Sequence, residues 1–394
     1  MKVLKTLKVI AFNALLTLVL LEIGLILAAK GNLLRMDLPT YSIANIRPFW
    51  LDMDPVFGVW HAPNRLGYRH IKSCFDVTYS TNTHGMRDAE RDLRANHRRV
   101  VVLGDSFVEG YGVAAEKRMT DLLESQTGIP HLNFGTSGNF GLTQSWLLYK
   151  TLASRFDHDA VIISILPAND FSDDDFANAK TSFRDRYRPY LVGRYPDYDL
   201  TYYRSSLIGA RISELGKYAE TVVNEFTYTA RAYSYFKNYR KSTKRRQSLP
   251  LEPEAEKPIN SYYFDFTDQQ FDRLRYAIEH ISILAAPRPV LVMTIARRSD
   301  YLRADREKSV PPLVERLSAL SKSLNIQYID LLDGLKTDTK LDELFHPCDP
   351  HWSAYGNAAA ARQIGNWQFY RDRSRIAGEY QPGRHLKPEP GTGN

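Results

Sequence analysis

From Arg99 onwards the chain alternates short apolar runs with amphipathic stretches, and this alternation constrains the fold more than any other feature. Continuous apolar, largely β-branched runs predict buried strands, and apolar residues every three to four positions predict helices. The predicted strands are RVVVLG (99–104), HLNFG (131–135), AVIISIL (160–166), PVLVMTI (289–295) and IQYIDL (326–331). Strands that alternate with helices form a parallel sheet with helices on both faces, so we predict a doubly wound, flavodoxin-like α/β fold of five strands.

A long insertion interrupts this alternation. Residues 183–203 are crowded with Tyr and Arg and predict a hairpin, and residues 205–245 predict a mostly helical segment that ends in a basic run. A polar, Pro-bearing linker follows at 247–260. The predicted organisation is a membrane anchor or signal (1–30), a β-rich pre-domain segment (31–98), an α/β domain (99–373) with an insertion at 171–285, and a flexible tail (374–394).

The N-terminus carries one long apolar run, Val9 to Ala29, bounded by Lys8 and Lys30. Its 21 residues reach about 30 Å as a helix, which matches the hydrocarbon core of a bilayer. We predict a single-pass anchor with the N-terminus inside and the remainder translocated, since three lysines precede the run. A cleaved signal peptide and a buried core helix are the alternatives. Glu22 is costly inside such a run, and it either snorkels or pairs with another helix.

Charge and cysteine content restrict the partners. Lys and Arg number 52 against 45 Asp and Glu, a formal charge of +7 that favours anionic surroundings such as lipid head groups or acidic glycans. No nucleic-acid-binding signature is present, so no nucleic-acid partner is predicted. Cys74 and Cys348 are not spaced as a zinc site. They either pair in an oxidising compartment or remain two buried thiols.

Polar residues follow the predicted strands where a parallel sheet places its ligand site. Because the carboxyl ends of the strands share one edge, these residues can converge there. They are Ser106 after the first strand, Gly138 after the second, Asn169 after the third, and Asp349 with His351 after the fifth. A nucleophile, its base with an orienting carboxylate, and donors for an oxyanion are the components of acyl transfer.

These blocks resemble the SGNH, or GDSL-like, hydrolase and acyltransferase superfamily. The resemblance rests on GDSF, the last Gly of NFGTSG, the Asn of PAND and the late Asp/His pair, and it covers about residues 99–170 and 285–366. It implies that Ser106 is the nucleophile, His351 the general base and Asp349 the residue that orients it. It also implies that the oxyanion is held by the N–H groups of Ser106 and Gly138 and by the Asn169 amide.

One departure from the hydrolase pattern affects the predicted reaction. The usual Asp-x-x-His is replaced by Asp349-Pro350-His351-Trp352, a form that resembles membrane-anchored SGNH-like proteins acetylating bacterial exopolysaccharides. Extended backbone still places residues two apart on one face, so the triad remains possible. We therefore predict a serine-dependent acyl-ester hydrolase acting through an acyl-Ser106 intermediate on O-acetyl groups of an envelope or secreted polysaccharide. O-acetyltransfer to a glycan hydroxyl and a non-catalytic glycan-binding subunit are the alternatives.

The resemblance further implies a bacterial inner-membrane protein with a periplasmic or external catalytic domain, no cofactor and no metal. A membrane acyltransferase partner that supplies the acyl group is possible. An α/β-hydrolase is rejected, because Val108 stands where its Gly-x-Ser-x-Gly elbow needs the last glycine.

Several site residues have competitors. Gly135 and Gly141 compete with Gly138, and His346 competes with His351 as base. Asp349 could instead cap the final helix, although Ser353 is better placed for that.

Two further groups of residues have a functional and a structural interpretation. Tyr187, Tyr190 and Arg188 of the predicted hairpin could stack on sugar rings and bind carboxylates, or they could simply pack the hairpin on the core. The acidic residues 170 and 173–175 predict a solvated loop, and the basic run 237–246 a solvated helix end.

Overall fold

The computed structural model describes residues 2–31, 33–34, 36–180, 186–203, 207–247, 259–336 and 341–371. A 29-residue helix comes first, and two antiparallel strand pairs follow it. These elements are α1 (Lys2–Lys30), β1 (Trp50–Asp54), β2 (Gly58–His61), β3 (Tyr68–Lys72) and β4 (Phe75–Tyr79). The segment 205–245, predicted to be mostly helical, contains two helices, and residues 248–258 of the predicted linker lie outside the described residues.

The remaining elements follow the predicted alternation of strands and helices. They are β5 (Val100–Gly104), α2 (Ser106–Glu109), α3 (Met119–Thr127), β6 (His131–Gly135), α4 (Leu142–Thr151), β7 (Ala160–Ile165), α5 (Pro167–Asp173), β8 (Arg188–Arg194), β9 (Asp197–Tyr203), α6 (Leu207–Phe226), α7 (Tyr228–Gln247), α8 (Asp268–Ala285), β10 (Val290–Thr294), α9 (Arg298–Glu307), α10 (Pro312–Ser323), β11 (Gln327–Asp330), α11 (Leu331–Lys336), α12 (Leu341–Leu344), α13 (Ala354–Ile364) and α14 (Gln368–Arg371).

The five predicted strands form one parallel sheet in the order β11-β10-β7-β5-β6. Numbered along the chain this order is 2-1-3-4-5, the flavodoxin-like doubly wound arrangement. The fold prediction is confirmed, with a helix long and apolar enough to span a membrane at the N-terminus. The sheet order reverses between β5 and β7, so the ends of these two strands form the switch point where ligands bind in such folds.

The sheet strands are buried because helices cover both of their faces. β5, β6, β7 and β10 are buried along their whole lengths, which explains their continuous rather than alternating apolar pattern. α3 packs against α13, and α4 packs against α8. Although α8 falls inside the predicted insertion 171–285, it connects β7 to β10 and packs on the sheet.

The segment between α1 and the sheet shares the core of the α/β domain. Phe57, Val59, Trp60 and Met86 are all at most 5% exposed and belong to the same apolar cluster as the sheet strands. β1 and β2 therefore do not form a core separate from the sheet. This shared core brings residues 37–87 up to the functional edge of the sheet.

The acidic residues after β7 differ from their prediction as a solvated loop. Asp170, Asp173 and Asp174 are buried, on α5 and at its end. Asp170 accepts from the N–H of Leu166, and Asp174 accepts from the N–H of Thr143 at the start of α4. These carboxylates satisfy backbone N–H groups at helix starts, where an acceptor is required.

Candidate active site

Ser106 begins the short helix α2 directly after the central strand β5. Asp105 precedes it as the N-cap, and its side chain accepts from the N–H of Phe107 at 3.0 Å. This strand–turn–helix connection brings Ser106 to the switch point of the sheet, at the carboxyl end of β5. Ser106 is 9% exposed, so its hydroxyl lies in a largely enclosed place.

His351 and Asp349 complete a chain of hydrogen bonds with Ser106. His351 Nε2 lies 2.7 Å from Ser106 Oγ, and His351 Nδ1 lies 2.5 Å from Asp349 Oδ1. Asp349 Oδ1 also accepts from the backbone N–H of His351 at 3.0 Å. The spacing of two residues therefore permits the geometry that a nucleophile, base and orienting carboxylate require.

Lys72, at the end of β3, binds the second oxygen of the same carboxylate. Its Nζ lies 2.6 Å from Asp349 Oδ2 and 3.4 Å from Asp37 Oδ1. Burial alone would raise the pKa of Asp349, but the hydrogen bonds and positive charges of His351 and Lys72 outweigh it and hold that pKa well below its usual range. Asp349 thus stays ionised beside the imidazole, and both of its oxygens have donors.

Two aromatic side chains hold the imidazole in place. Tyr111 stacks on His351 with ring centroids 4.1 Å apart, and Phe107 lies on it at 4.9 Å. The Lys72 ammonium lies over the same Tyr111 ring at 5.5 Å. The ring orientation is therefore set by packing as well as by hydrogen bonds.

Asn169 lies at the start of α5, beside the residue that precedes Ser106. Its Nδ2 donates to Asp105 Oδ2 at 3.2 Å, and its Oδ1 is buried without a partner. Burial raises the pKa of Asp105, although the hydrogen bond from Phe107 and the charge of His351 oppose this. Asn169 therefore presents an amide N–H₂ group next to the serine, where an oxyanion donor is expected.

The three competing glycines have different surroundings. A side chain at Gly135 would strike the backbone of Glu109, and one at Gly141 would strike Asp174. These two glycines permit close packing. Gly138 adopts φ +100°, a conformation that favours glycine, and a Cβ there would lie only 3.1 Å from Val59 Cγ2.

Glu109 anchors the loop that carries Gly138. It is fully buried and accepts from both the N–H and the hydroxyl of Ser137 and from Trp50 Nε1 at 3.1 Å. Burial would raise its pKa, but His61, Arg87 and Ser137 lower it overall. The position of Gly138 thus depends on a buried carboxylate three residues after Ser106.

The hairpin residues predicted to bind substrate are buried rather than on a surface. Tyr190 and Arg188 are at most 1% exposed, and Tyr187 is 8% exposed. Tyr187 donates to the carbonyl of Pro55, and Arg188 donates to the carbonyls of Asn139 and Asp173. The structure therefore favours the alternative in which these residues pack the β8–β9 hairpin on the core, because all three are buried and Tyr187 and Arg188 donate to backbone carbonyls within the fold.

Cys74 and Cys348 form a disulfide with their Cα atoms 5.7 Å apart. The bond joins the turn between β3 and β4 to the loop that carries Asp349 and His351. Cys74 is two residues after Lys72, and Cys348 is one residue before Asp349. The disulfide therefore joins the same two segments as the ion pair between Lys72 and Asp349.

Two other candidates have structural roles. His346 packs against Phe75, and its Nε2 is buried without a partner, so it does not bind Ser106. Ser353 caps α13 by accepting from the N–H of Gly356, which leaves Asp349 to His351 and Lys72. Among the described residues no group of three or more His, Cys, Asp or Glu side chains could hold a metal ion.

Sequence reasoning missed three residues of this site. Lys72 and Tyr111 carry no motif, and they reach His351 and Asp349 only through the tertiary fold. Glu109 could have been suspected from the sequence, because it lies on the same short helix as Ser106, on the side of that helix that is buried.

The chain was compared with known protein families, curated proteins and solved structures. No protein-family model and no curated protein matches the chain. Among solved structures, a lipolytic protein of the G-D-S-L family from Desulfitobacterium hafniense covers 68% of this chain and 98% of its own, with 13% identity and a TM-score of 0.34. The lipase/acylhydrolase from Enterococcus faecalis covers 68% and 95%, with 15% identity and a TM-score of 0.34. The chain is similar to GDSL-type acylhydrolases of known structure.

A carbohydrate esterase family 2 enzyme from Corynascus thermopiles, which carries a carbohydrate-binding domain, is also similar. It covers 70% of this chain and 66% of its own, with 13% identity and a TM-score of 0.32. Structural similarity at these TM-scores and identities is too low to support a conclusion about activity. The fold rests on the strand order of this chain and the function on the geometry of its own site.

Proposed function

We propose that this protein is a serine-dependent acyl-ester hydrolase of the SGNH type. The observation that carries the proposal is the continuous chain Ser106 Oγ, His351 and Asp349, with heavy-atom distances of 2.7 and 2.5 Å. A serine hydroxyl is a poor nucleophile until an adjacent base accepts its proton, and the carboxylate keeps the imidazole in the tautomer that can do so.

The reaction proceeds in two balanced halves. Ser106 Oγ attacks the ester carbonyl while His351 Nε2 accepts its proton. The tetrahedral intermediate collapses, the alcohol leaves with that proton, and the acyl group remains on Ser106. Water then attacks the acyl-enzyme with His351 as base, and the intermediate releases the carboxylic acid and restores the serine hydroxyl.

The developing oxyanion would be held by donors around Ser106. The candidates are the backbone N–H groups of Ser106 and Gly138 and the Asn169 amide, which already lies beside Asp105. One such donor is worth about 3 kcal/mol of transition-state stabilisation.

The substrate class we propose is an O-acetyl ester on an envelope or secreted polysaccharide. The support is the Asp-x-His-Trp form of the last block and the formal charge of +7, which suits acidic glycans. Transfer of the same acyl group to a sugar hydroxyl differs only in the attacking nucleophile. In that case a membrane acyltransferase partner would be a source of acyl groups.

We also propose that α1 anchors the protein in a bacterial inner membrane, with the α/β domain on the periplasmic side. The support is the unburied apolar window of this helix and the lysines at its N-terminal end. The disulfide is consistent with an oxidising compartment.

The test uses the full-length protein in detergent with 4-nitrophenyl acetate. Ser106→Ala is expected to lose activity by about a thousandfold or more, whereas Ser154→Ala, at an exposed serine, keeps it. Activity that survives in Ser106→Ala contradicts the mechanism. Acetylated product after addition of an acceptor oligosaccharide would identify a transferase, and folded wild-type protein without nitrophenol release would favour a glycan-binding subunit.

A further inference from the structure

α6 exposes an apolar stripe along one of its faces. Ala219, Val222, Val223 and Phe226 follow the i, i+3, i+4, i+7 spacing of one helix face, and all four are exposed. The exposed fractions of Val222, Val223 and Phe226 are 36%, 51% and 37%. Such a face normally packs against another surface.

α7 exposes a second stripe in which aromatic and basic side chains are combined. Tyr233 and Phe236 are 67% and 45% exposed. Lys237 and Arg240 are exposed at the next positions of the same spacing. Aromatic residues with flanking cations are typical of helices that lie at the interface of an anionic membrane. We call Val222, Val223, Phe226, Tyr233 and Phe236 the α6–α7 apolar surface.

The start of α7 is bound to α1 by hydrogen bonds. Glu22 accepts from the backbone N–H groups of Tyr228 and Thr229 and from the Thr229 hydroxyl, the last at 2.6 Å. The carboxylate therefore satisfies free N–H groups at the N-terminus of α7. This pairing also explains how an acidic residue is accommodated in the apolar run.

Apolar packing continues the contact between the two helices. Ala29 of α1 belongs to a small buried cluster with Tyr228 and Ala232 of α7, and Leu25 and Ile26 pack against it. The described part of α1 before Glu22 is exposed along its length. The first two turns of α7 are thus tied to the last third of α1.

These contacts fix the depth of α7 relative to a membrane. A spanning helix needs about 20 apolar residues, and the run between Lys8 and Lys30 supplies 21, so Glu22 must lie within the hydrocarbon span. Glu22 is seven residues before Ala29, which is about 11 Å along the axis. The beginning of α7 therefore lies at the level of one leaflet, with the exposed stripes of α6 and α7 beside it.

We propose that the α6–α7 apolar surface is a second membrane contact, seated in the outer leaflet beside α1. This inference rests on the proposed membrane anchor. It commits to lipid because the surface is continuous with the spanning helix and is flanked by cations that match anionic head groups.

The same arrangement places the active site close to the membrane. Asp37 is seven residues beyond Lys30, a distance the chain covers in at most about 24 Å. Lys72 then bridges Asp37 to Asp349. A substrate held at the membrane surface, such as a glycan during export, is therefore within reach of Ser106.

The experiment places a fluorophore at single cysteines of the full-length protein in liposomes containing anionic lipid. Both native cysteines are in the disulfide, so Val223→Cys and Phe236→Cys can be labelled selectively without reductant. Lipids carrying a nitroxide near the head group or deep in the chain then report depth by quenching. Leu16→Cys on α1 and Ile283→Cys, an exposed site on α8, are the matched references.

Val223 and Phe236 labels are expected to lose about half of their fluorescence to the shallow nitroxide, as for a surface buried 5–10 Å into a leaflet. The Leu16 label is expected to respond to the deep nitroxide, and the Ile283 label to neither. Quenching at Leu16 without quenching at Val223 and Phe236 would overturn the second contact alone and leave the anchor in place. Absence of quenching at Leu16 would overturn the anchor and the inference together.

Discussion

At the scale of single residues, the orientation of His351 depends on side chains that do not react. Asp349 gives one oxygen to the imidazole and the other to Lys72, so the carboxylate cannot rotate without losing a charged hydrogen bond. Hydrogen bonds to charged groups contribute about 1.5–3 kcal/mol each. Lys72 is therefore a positioning residue that acts through Asp349.

Lys72→Met is expected to lower kcat about tenfold, equivalent to about 1.4 kcal/mol, with little change in KM. Without the ammonium the pKa of Asp349 rises and one of its oxygens loses its donor, so the carboxylate holds His351 less firmly. Steady-state kinetics with 4-nitrophenyl acetate measures kcat and KM.

Lys117→Met, at an exposed lysine, is the matched control for Lys72→Met, and Lys72→Arg should restore part of the rate. A kcat of Lys72→Met equal to that of wild type, or no recovery of the rate in Lys72→Arg, would contradict a positioning role for Lys72.

The buried carboxyl of Asp173 makes stability depend on pH. Burial and the neighbouring Asp174 raise its pKa to about 7 despite the opposing charge of Arg188. The unfolded value is near 3.9, so the native state retains a proton that the unfolded chain has lost. The contribution of Asp173 to stability is therefore greatest below about pH 4 and decreases as the pH rises through 7.

Asp173→Asn removes this ionisation. When the pH is raised from 4 to 8, the unfolding free energy of the variant relative to that of wild type is expected to increase by about 1–4 kcal/mol. Denaturant unfolding at both pH values measures the difference, with the exposed Asp197→Asn as control. A difference that does not change with pH would mean that Asp173 ionises normally.

At the scale of elements, the β3–β4 pair and the loop before α13 act as one unit. The disulfide closes a separation of 274 residues, and the ion pair between Lys72 and Asp349 lies beside it. This cross-link restricts the unfolded chain and holds the end of β3 against the loop that carries the imidazole.

Cys74→Ser combined with Cys348→Ser is expected to lower the unfolding free energy by about 2–5 kcal/mol. Activity is expected to fall as well, because the segment that carries Lys72 is freed from the loop that carries Asp349. Urea unfolding and the esterase assay measure the two effects. A reductant should lower the stability and activity of wild type and leave the double variant unchanged. Equal unfolding free energies of oxidised wild type and the double variant would contradict a stabilising role for the disulfide.

At the scale of the whole molecule, α1 and the α/β domain are predicted to lie in different environments. The lysines before the apolar run favour the N-terminus inside and the catalytic domain outside. In spheroplasts, a membrane-impermeant maleimide should label Ile283→Cys without lysis and Leu4→Cys only after lysis. The opposite pattern would reverse the orientation and place the disulfide in a reducing compartment.

Much of the architecture was predictable because it depends on local periodicity. Four of the sheet strands are buried on both faces, so their apolar runs were continuous and easy to recognise. The doubly wound, flavodoxin-like arrangement was predicted from the alternation of strands and helices. The acidic residues after β7 were predicted wrongly, because a polar sequence does not reveal that its carboxylates will bind the N–H groups of neighbouring helix starts.

The sequence by itself determined the α/β class, the apolar N-terminal helix and the residues that meet at the switch point, because each depends on residue type and position along one element. Only the tertiary structure decided which residues surround them. Lys72, Glu109 and Tyr111 reach the site through contacts between segments far apart in sequence, as does the pairing of Glu22 with α7. Such contacts arise from packing in three dimensions, for which local periodicity contains no signal.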